Sequence, residues 1–212
     1  MVIRRKALFN RALAPFSARR RSERMARFVR RMGLSGGERI LDLGGLGQTW
    51  AGVAQPLDIT LVNLPGQAAK SRLPEQHGFT LLDGDACALP ELADGSFDIV
   101  FSNSVIEHVG PAERQRAFAA EARRLAPRYW VQTPSIWFPL EPHTGMPFWW
   151  FYPESLRARI VERWRRKLPA WADSMAETRV IRRRALEAMF PEAELWVERY
   201  AGIAKSYVAI RA

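Results

Sequence analysis

Polar side chains and glycines follow five separate apolar segments of this sequence. Carboxylate and amide groups at such positions can bind a nucleoside, because they accept hydrogen bonds from ribose hydroxyls or from the exocyclic amine of adenine. The carboxyl ends of parallel strands meet at one edge of a sheet, so we expect these groups to converge there. The positions are Gly44–Gly47, Asn63, Asp85, Ser102 with Asn103, and Thr133.

The first segment, 38–50, is a short apolar run with one acid, Asp42, that breaks into glycines. Glycine permits a positive φ, and its missing side chain lets the main chain approach a ligand closely. The pattern favours a cleft for a nucleoside-type ligand, with an ordinary strand-to-helix turn as the alternative. The glycines are Gly44, Gly45 and Gly47.

Asn63 ends the second segment, nineteen residues after Gly44. In nucleoside-binding sheets a polar side chain at this spacing reaches the ribose, and an acid is usual there. An amide can still bond to the diol, but it carries no charge. A polar residue that merely ends a strand is the alternative reading.

The apolar segments and the turn signals between them predict strands, and Pro111 opens a helix between two of them. This alternation between residues 38 and 133 predicts an α/β fold with a doubly wound, largely parallel sheet. A short helix at 182–189 and a closing hairpin complete the prediction. The predicted strands are 40–43, 57–63, 79–86, 97–102, 128–133, 194–200 and 205–212.

The composition suits one domain, since the chain has 212 residues and 48% of them are hydrophobic. Cys87 is the only cysteine, which excludes an internal disulfide and a cysteine-rich zinc site. The simplest inference is a reducing, cytoplasmic setting. No apolar run is long enough for a membrane span, and the first residues are too basic for a secretory signal. A mitochondrial-type presequence stays open.

The net charge of +10 belongs to the start of the chain. Residues 1–31 contain eleven Lys and Arg residues and one acid, which leaves 21 basic and 21 acidic residues in the remainder. Residues 1–20 are therefore predicted to form a basic arm that seeks an anionic partner. From residue 22 to residue 32 the apolar positions follow a helical period and predict a helix on the edge of the domain.

Residues 134–171 break the strand–helix rhythm. Five prolines lie between residues 134 and 153, and six of the eight tryptophans lie between residues 130 and 171. The segment 154–168 is amphipathic, with arginines opposite an apolar stripe that includes Trp164. Two interpretations stay open: an interfacial membrane element, or a lid helix whose apolar stripe packs on the substrate cleft.

Four stretches resemble a class I S-adenosylmethionine-dependent methyltransferase of a type 11-like bacterial subgroup. They are ILDLGG at 40–45, GDACALP at 84–90, FDIVFSNSVIEHV at 97–109 and YWVQTPSIWFPLEPH at 129–143. The resemblance covers about residues 24–211. It implies a Rossmann-like, seven-stranded sheet that is mostly parallel, with an antiparallel C-terminal hairpin strand. The implied domains are a basic arm at 1–20 and a methyltransferase domain at 21–212 with a lid insertion at about 134–175.

The resemblance also implies S-adenosylmethionine as cofactor and assigns it contacts. The sequence departs from the family in two places: the glycines do not stand at alternate positions after Asp42, and Asn63 replaces the acid that holds the ribose. The implied contacts are Asp42 and Gly44 beside the methionine part, Gly45 and Gly47 in the same loop, Asn63 at the ribose, Asp85 and Ala86 at the adenine, and Ser102 and Asn103 near the sulfonium.

A general base assists methyl transfer when the acceptor is a hydroxyl. The candidates are His143, Glu141, His108 and Glu107. His143 is preferred, because its loop follows the fifth predicted strand and can project over the cleft. His108 is expected to brace the following helix. No metal site is predicted, although these four residues are the set that would form one.

The main hypothesis is methyl transfer to a small-molecule or lipid-like acceptor, with an anionic membrane surface as a partner through the basic arm and residues 148–168. A nucleic-acid methyltransferase is the first alternative, which the basic arm motivates. The second alternative is a non-catalytic protein that keeps the cofactor fold for binding, which the altered glycine loop and Asn63 motivate.

Overall fold

The structure is a computed structural model that describes residues 18–67, 71–141 and 144–212. A seven-stranded sheet forms its centre, with the strand order β3-β2-β1-β4-β5-β7-β6. The strands are β1 Arg39–Leu43, β2 Asp58–Asn63, β3 Gly78–Asp83, β4 Ile99–Asn103, β5 Arg128–Pro134, β6 Glu194–Tyr200 and β7 Ile203–Arg211.

Five α-helices accompany the sheet in the described ranges, and two short 3₁₀ helices lie at Gly47–Trp50 and Trp149–Phe151. The α-helices are α1 at 18–32, α2 Ala112–Leu125, α3 Glu154–Arg165, α4 Pro169–Glu177 and α5 Arg183–Met189.

Strands β1 to β5 pair in parallel, so their carboxyl ends lie along one edge of the sheet. Strand β7 is antiparallel to both β5 and β6. The strand order reverses between β1 and β4, which is where an open α/β sheet leaves a crevice for a ligand. This architecture confirms the predicted Rossmann-like, mostly parallel sheet with an antiparallel C-terminal hairpin strand.

Two hydrophobic cores cover the two faces of the sheet. Alternation along β1 sends Leu41 and Leu43 into one core and Ile40 into the other. Helices α2 and α5 contribute to the first core through Phe118 and Leu186. Helix α1 and the 3₁₀ helix after β1 contribute to the second core.

The predicted alternation of strand and helix is wrong for the first part of the sheet. Between β1 and β2 the only helix is the 3₁₀ turn, and α2 is the first α-helix after α1 in the described ranges. Trp50 and Val53 are buried beside Phe28 of α1 and together occupy the face that a crossover helix would cover. Helix α1 also begins earlier than predicted, since residues 18–21 are already helical.

Residues 144–178, which include most of the predicted lid insertion at about 134–175 and are called the lid below, have a core of their own. Trp149, Val161, Trp164 and Ala172 are buried together, and α3 packs on α4. The apolar stripe of the predicted amphipathic helix is thus largely covered by lid residues, and helix α4 was not predicted. Among the helices in the described part of the chain, none is both long enough and apolar enough to cross a membrane. Most of the predicted basic arm, residues 1–17, lies outside the described residues.

Phe28 should be the residue of α1 on which stability depends most. Its fully buried ring makes edge contacts with Trp50, Phe101 and Trp130, with centroids 4.9–5.8 Å apart. We expect Phe28→Ala to lower the free energy of unfolding by about 3–5 kcal/mol, because it leaves a cavity between sheet and helix. Chemical denaturation followed by circular dichroism measures this.

The matched control is Leu156→Ala, an exposed position on α3 where alanine favours the helix. Its effect should stay below about 1 kcal/mol. Equal losses in the two variants would show that α1 does not anchor the sheet.

Candidate active site

A buried acid supports the glycine loop after β1. Asp42 is fully buried, and the Trp50 indole Nε1 donates to its Oδ2 at 2.9 Å. The Cα of Gly45 lies against this carboxyl group, because a Cβ added there would stand 1.9 Å from Asp42 Oδ2. Any side chain at this position would displace the carboxyl group. The loop therefore depends on glycine at position 45 for packing.

Burial raises the pKa of Asp42 to about 7, and the hydrogen bond from Trp50 offsets only part of that rise. In the described part of the chain, Asp42 Oδ1 has no hydrogen-bond partner. A buried acceptor without a donor is costly, which adds to the effect of burial in disfavouring the carboxylate form.

A cavity of about 430 Å³ opens at the carboxyl edge of the sheet. Its volume is within the range of about 300–1,000 Å³ that is typical of small-molecule sites. It brings together five residues from the strand ends and the following turns, namely Gly44, Asn63, Asp85, Ala86 and His108. Four of these were predicted to contact a cofactor, and His108 was a candidate base.

Gly44 forms one wall of this cavity. Its φ is +76°, and a Cβ there would lie 2.6 Å from Val105 Cγ1. Its N–H donates to the Val62 carbonyl at 2.8 Å, which ties the loop to the end of β2. Both the backbone angle and the close neighbour require glycine.

Asn63 connects β2 to the glycine loop. Its side-chain Nδ2 donates to the Gly45 carbonyl at 2.9 Å. Because the amide nitrogen is bonded to the loop, the amide oxygen is the atom left to accept from a ligand hydroxyl. An aspartate could not make this contact with a carbonyl, so the amide has a structural role that the usual acid would not fill.

Asp85 binds an arginine that the sequence reasoning missed. Arg114 Nη2 donates to both carboxylate oxygens at 2.9 and 2.8 Å, and the Cys87 N–H donates to Oδ1 at 3.0 Å. Burial would raise the pKa of Asp85, but the bonds from Arg114 and Cys87 outweigh it and the pKa is lowered. Asp85 is therefore an oriented, ionised acceptor beside the cavity. Arg114 comes from α2, and no sequence motif places it there.

Five other predicted cofactor residues, Asp42 among them, have structural contacts and do not line the cavity. The Ser102 hydroxyl is buried and donates to the Leu43 carbonyl at 3.0 Å. Asn103 Oδ1 accepts from Arg24 Nη1 at 2.6 Å. A Cβ on Gly47 would lie 2.5 Å from the Arg72 carbonyl oxygen. The remaining residue, Gly45, packs on Asp42 as described above.

The candidate bases lie in different surroundings. His108 Nδ1 is 3.1 Å from the hydroxyl of Thr178, which itself donates to the Ser174 carbonyl, so the ring is held at the cavity wall. Glu107 is fully buried and accepts from the Thr133 hydroxyl at 3.1 Å. Glu141 is buried and accepts from the Thr144 N–H within its own loop. His143 lies outside the described residues.

The residues present fit an adenosyl cofactor. The cavity has the volume, an amide oxygen from Asn63 and an oriented carboxylate from Asp85. Asp42 lies beneath the glycine loop and supports it, since Gly45 packs on its carboxyl group. In the described ranges no group of three or more His, Cys, Asp or Glu side chains is arranged to hold a metal ion.

The stability of this protein should depend on pH through Asp42. Its pKa lies above the ordinary value of 3.8, so its carboxylate form is disfavoured in the folded state. Stability relative to an Asp42→Asn variant should therefore fall as pH rises from about 4 to about 7 and level off above about pH 8, by at most about 4 kcal/mol. Urea unfolding of both proteins between pH 4.5 and 8.5 measures the difference.

Ser102→Ala is the control, because it removes a buried hydrogen bond without a titrating group. Its stability difference from the unaltered protein should be the same at every pH. A pH-independent difference for Asp42→Asn would refute the raised pKa.

Comparison with known proteins gives a family model that matches part of this chain. Residues 41–129 match the family model of the methyltransferase domain. Curated protein sequences give no match. The N-terminal domain of EvdMO1, crystallised with SAH and D-fucose, aligns with a TM-score of 0.54 at 21% identity, over 91% of this chain and 82% of that one.

Two further solved structures show the same fold. Magnesium protoporphyrin IX methyltransferase (ChlM) from Synechocystis PCC 6803, with bound SAH, has a TM-score of 0.52 at 14% identity, over 90% of this chain and 82% of that one. Phosphoethanolamine N-methyltransferase 2 from Haemonchus contortus, in complex with S-adenosyl-L-methionine, has a TM-score of 0.52 at 18% identity, over 80% of this chain and 36% of that one. Residues 41–129 thus match a methyltransferase domain, and the seven-stranded sheet has the fold of these solved structures.

Proposed function

We propose that this protein transfers the methyl group of S-adenosylmethionine to a small-molecule or lipid-like acceptor. The observation that supports it most is the cavity of about 430 Å³ at the strand ends, where Asn63 and Asp85 present acceptors beside the glycine loop. The solved structures named above include enzymes of small-molecule methylation, and two of them hold SAH.

In this proposal each strand end binds one part of the cofactor. The Asn63 amide oxygen accepts from the ribose, and Asp85, oriented by Arg114, accepts from the adenine amine. Asp42 supports the glycine loop from beneath and does not contact the cofactor, because its carboxyl group is fully buried and does not line the cavity. When bound, the cofactor supplies a methyl group on a positively charged sulfur, so the task of the protein is mainly to position the two reactants.

His108 is the proposed base among the described residues, because it alone of the candidates there lines the cavity. The hydroxyl of Thr178 holds its ring and selects the tautomer with the proton on Nδ1. Glu141 and His143 stay predicted contributors from the loop after β5.

An exposed aromatic patch supports the lipid-like acceptor and a membrane surface. Trp137, Phe148, Phe151 and Leu156 are 60%, 56%, 51% and 43% exposed, and the Trp137 and Phe151 rings are 5.5 Å apart. Most other lid aromatics are packed inside the lid, so these rings are an exception. Clustered aromatic rings beside a basic helix are typical of interfacial contact.

The arginines of α1 give less support to nucleic-acid binding than the sequence suggested. Arg24 is buried and pairs with Glu198 at 2.7 Å. Arg27 lies over the Trp196 ring at 4.4 Å from its centroid, and Arg31 pairs with Glu194. The positive charge of this helix is therefore partly used to attach the helix to β6.

Gly44→Ala should weaken cofactor binding while the fold persists. The added Cβ meets Val105 at a residue with positive φ, so we expect binding of S-adenosylhomocysteine to weaken by at least about tenfold. Titration calorimetry measures the affinity. Gly95→Ala is the matched control, because Gly95 also has positive φ (+63°) but has open space around it. If both variants bind the product as the unaltered protein does, the cavity is not the cofactor site.

Trp137→Ala/Phe151→Ala should weaken binding to anionic liposomes. Removing two exposed rings removes most of the apolar area that could enter an interface, so we expect at least about a tenfold loss in flotation assays. Leu73→Ala/Leu81→Ala serves as control, since these exposed leucines lie outside the lid. Equal flotation of all three proteins would exclude the patch as a membrane contact.

A further inference from the structure

A basic groove of about 1250 Å³ lies on the lid, between α3 and the segment that follows α4. It is concave and lined by arginines from two separate parts of the chain, with apolar side chains such as Trp150 and Val161 on its floor. The arginines are Arg157, Arg159, Arg163, Arg165, Arg166, Arg179 and Arg182.

Few carboxylates neutralise this groove. Arg165 pairs with Glu162 and Asp173. In the described part of the chain, the other six arginines form no ion pair, and Glu154 is the one remaining carboxylate in the lining. The groove thus holds an excess of about five positive charges, which a solvated helix face with balanced charges would not show.

Ordinary helix energetics do not account for the arrangement. Arg159 and Arg163 on α3 and Arg166 at its C-cap repeat at spacings of four and three, where like charges repel each other. The helix dipole favours cations in the last turn of α3, but it does not explain Arg179 and Arg182, which come from another segment. A bound anion would relieve the repulsion in both segments at once.

The groove adjoins the cavity at the strand ends. Thr178 lines the groove, and its hydroxyl contacts Nδ1 of His108, which lines the cavity. The Arg179 N–H donates to the Glu107 carbonyl at 2.7 Å, and Glu177 lines the cavity from the end of α4. A molecule held in the groove would therefore reach the cavity past His108.

We propose that the groove binds the phosphate group of a phosphorylated acceptor, either a soluble phosphate ester or a phospholipid headgroup. The proposal rests on the function proposed above and names its substrate class. An arginine guanidinium can donate two parallel hydrogen bonds to a pair of phosphate oxygens. The excess of positive charge in the groove is larger than a ligand with a single carboxylate would neutralise. The apolar floor accommodates a carbon skeleton next to that phosphate.

Calorimetry with the full chain tests this. The probes are inorganic pyrophosphate and the soluble short-chain lipid dihexanoylphosphatidic acid. The unaltered protein should bind at least one probe, and Arg159→Ala/Arg163→Ala/Arg166→Ala should weaken that binding at least about tenfold. Binding should also weaken as salt is raised. Arg21→Ala/Arg30→Ala/Arg184→Ala is the control, with the same charge change at exposed arginines outside the groove.

The two probes distinguish the sources of the phosphate. Binding of pyrophosphate and the lipid alike supports recognition of the phosphate alone, and binding of the lipid only supports a phospholipid acceptor. Failure of both probes to bind the unaltered protein, retained binding in the groove variant, or an equal loss in the control variant would overturn the proposal. S-adenosylhomocysteine is titrated in parallel: its failure to bind would refute the proposed function, whereas the phosphate result is read independently of it.

Discussion

The hydrogen bond between Trp50 and Asp42 is the contact on which the glycine loop of this site depends. It places an indole in the core beneath α1 and a carboxyl group beneath the glycine loop. Gly45 then packs directly on that carboxyl group, and Asn63 bonds to the carbonyl of Gly45. One buried pair thus fixes the loop from below, and the amide of β2 fixes it from the side.

A short polar segment attaches the lid to the rest of the domain. Arg179 donates its N–H to Glu107 and accepts from Gln115 Nε2 through its carbonyl, both at 2.7 Å. Thr178, next to it, contacts His108. Backbone hydrogen bonds of this kind position a loop without using its side chains. The Arg182 guanidinium stays available to the groove, whereas that of Arg179 also donates to the Ala176 and Thr178 carbonyls. His108 is held between the groove and the cavity.

The sheet and the meeting of Gly44, Asn63, Asp85 and Ala86 were predictable, because apolar runs identify strands and parallel strands bring their ends together. The absence of a crossover α-helix between β1 and β2 was not predictable. No local sequence pattern indicates that Trp50 and α1 will cover the sheet face that such a helix would cover. Contacts between side chains that are far apart in the sequence could not be predicted either. Arg114 on Asp85 and Arg24 on Asn103 are separated by 29 and 79 positions, and only the fold joins them.

The separate core of the lid has an evolutionary consequence. Because Trp149, Val161, Trp164 and Ala172 pack on one another, substitutions among the groove arginines of α3 leave the sheet cores untouched. Mutations at distant sites with no shared partners add nearly independently in free energy. If the groove binds the acceptor as proposed, selection can revise which acceptor is methylated, residue by residue, while the sheet and the glycine loop keep their sequence and their stability.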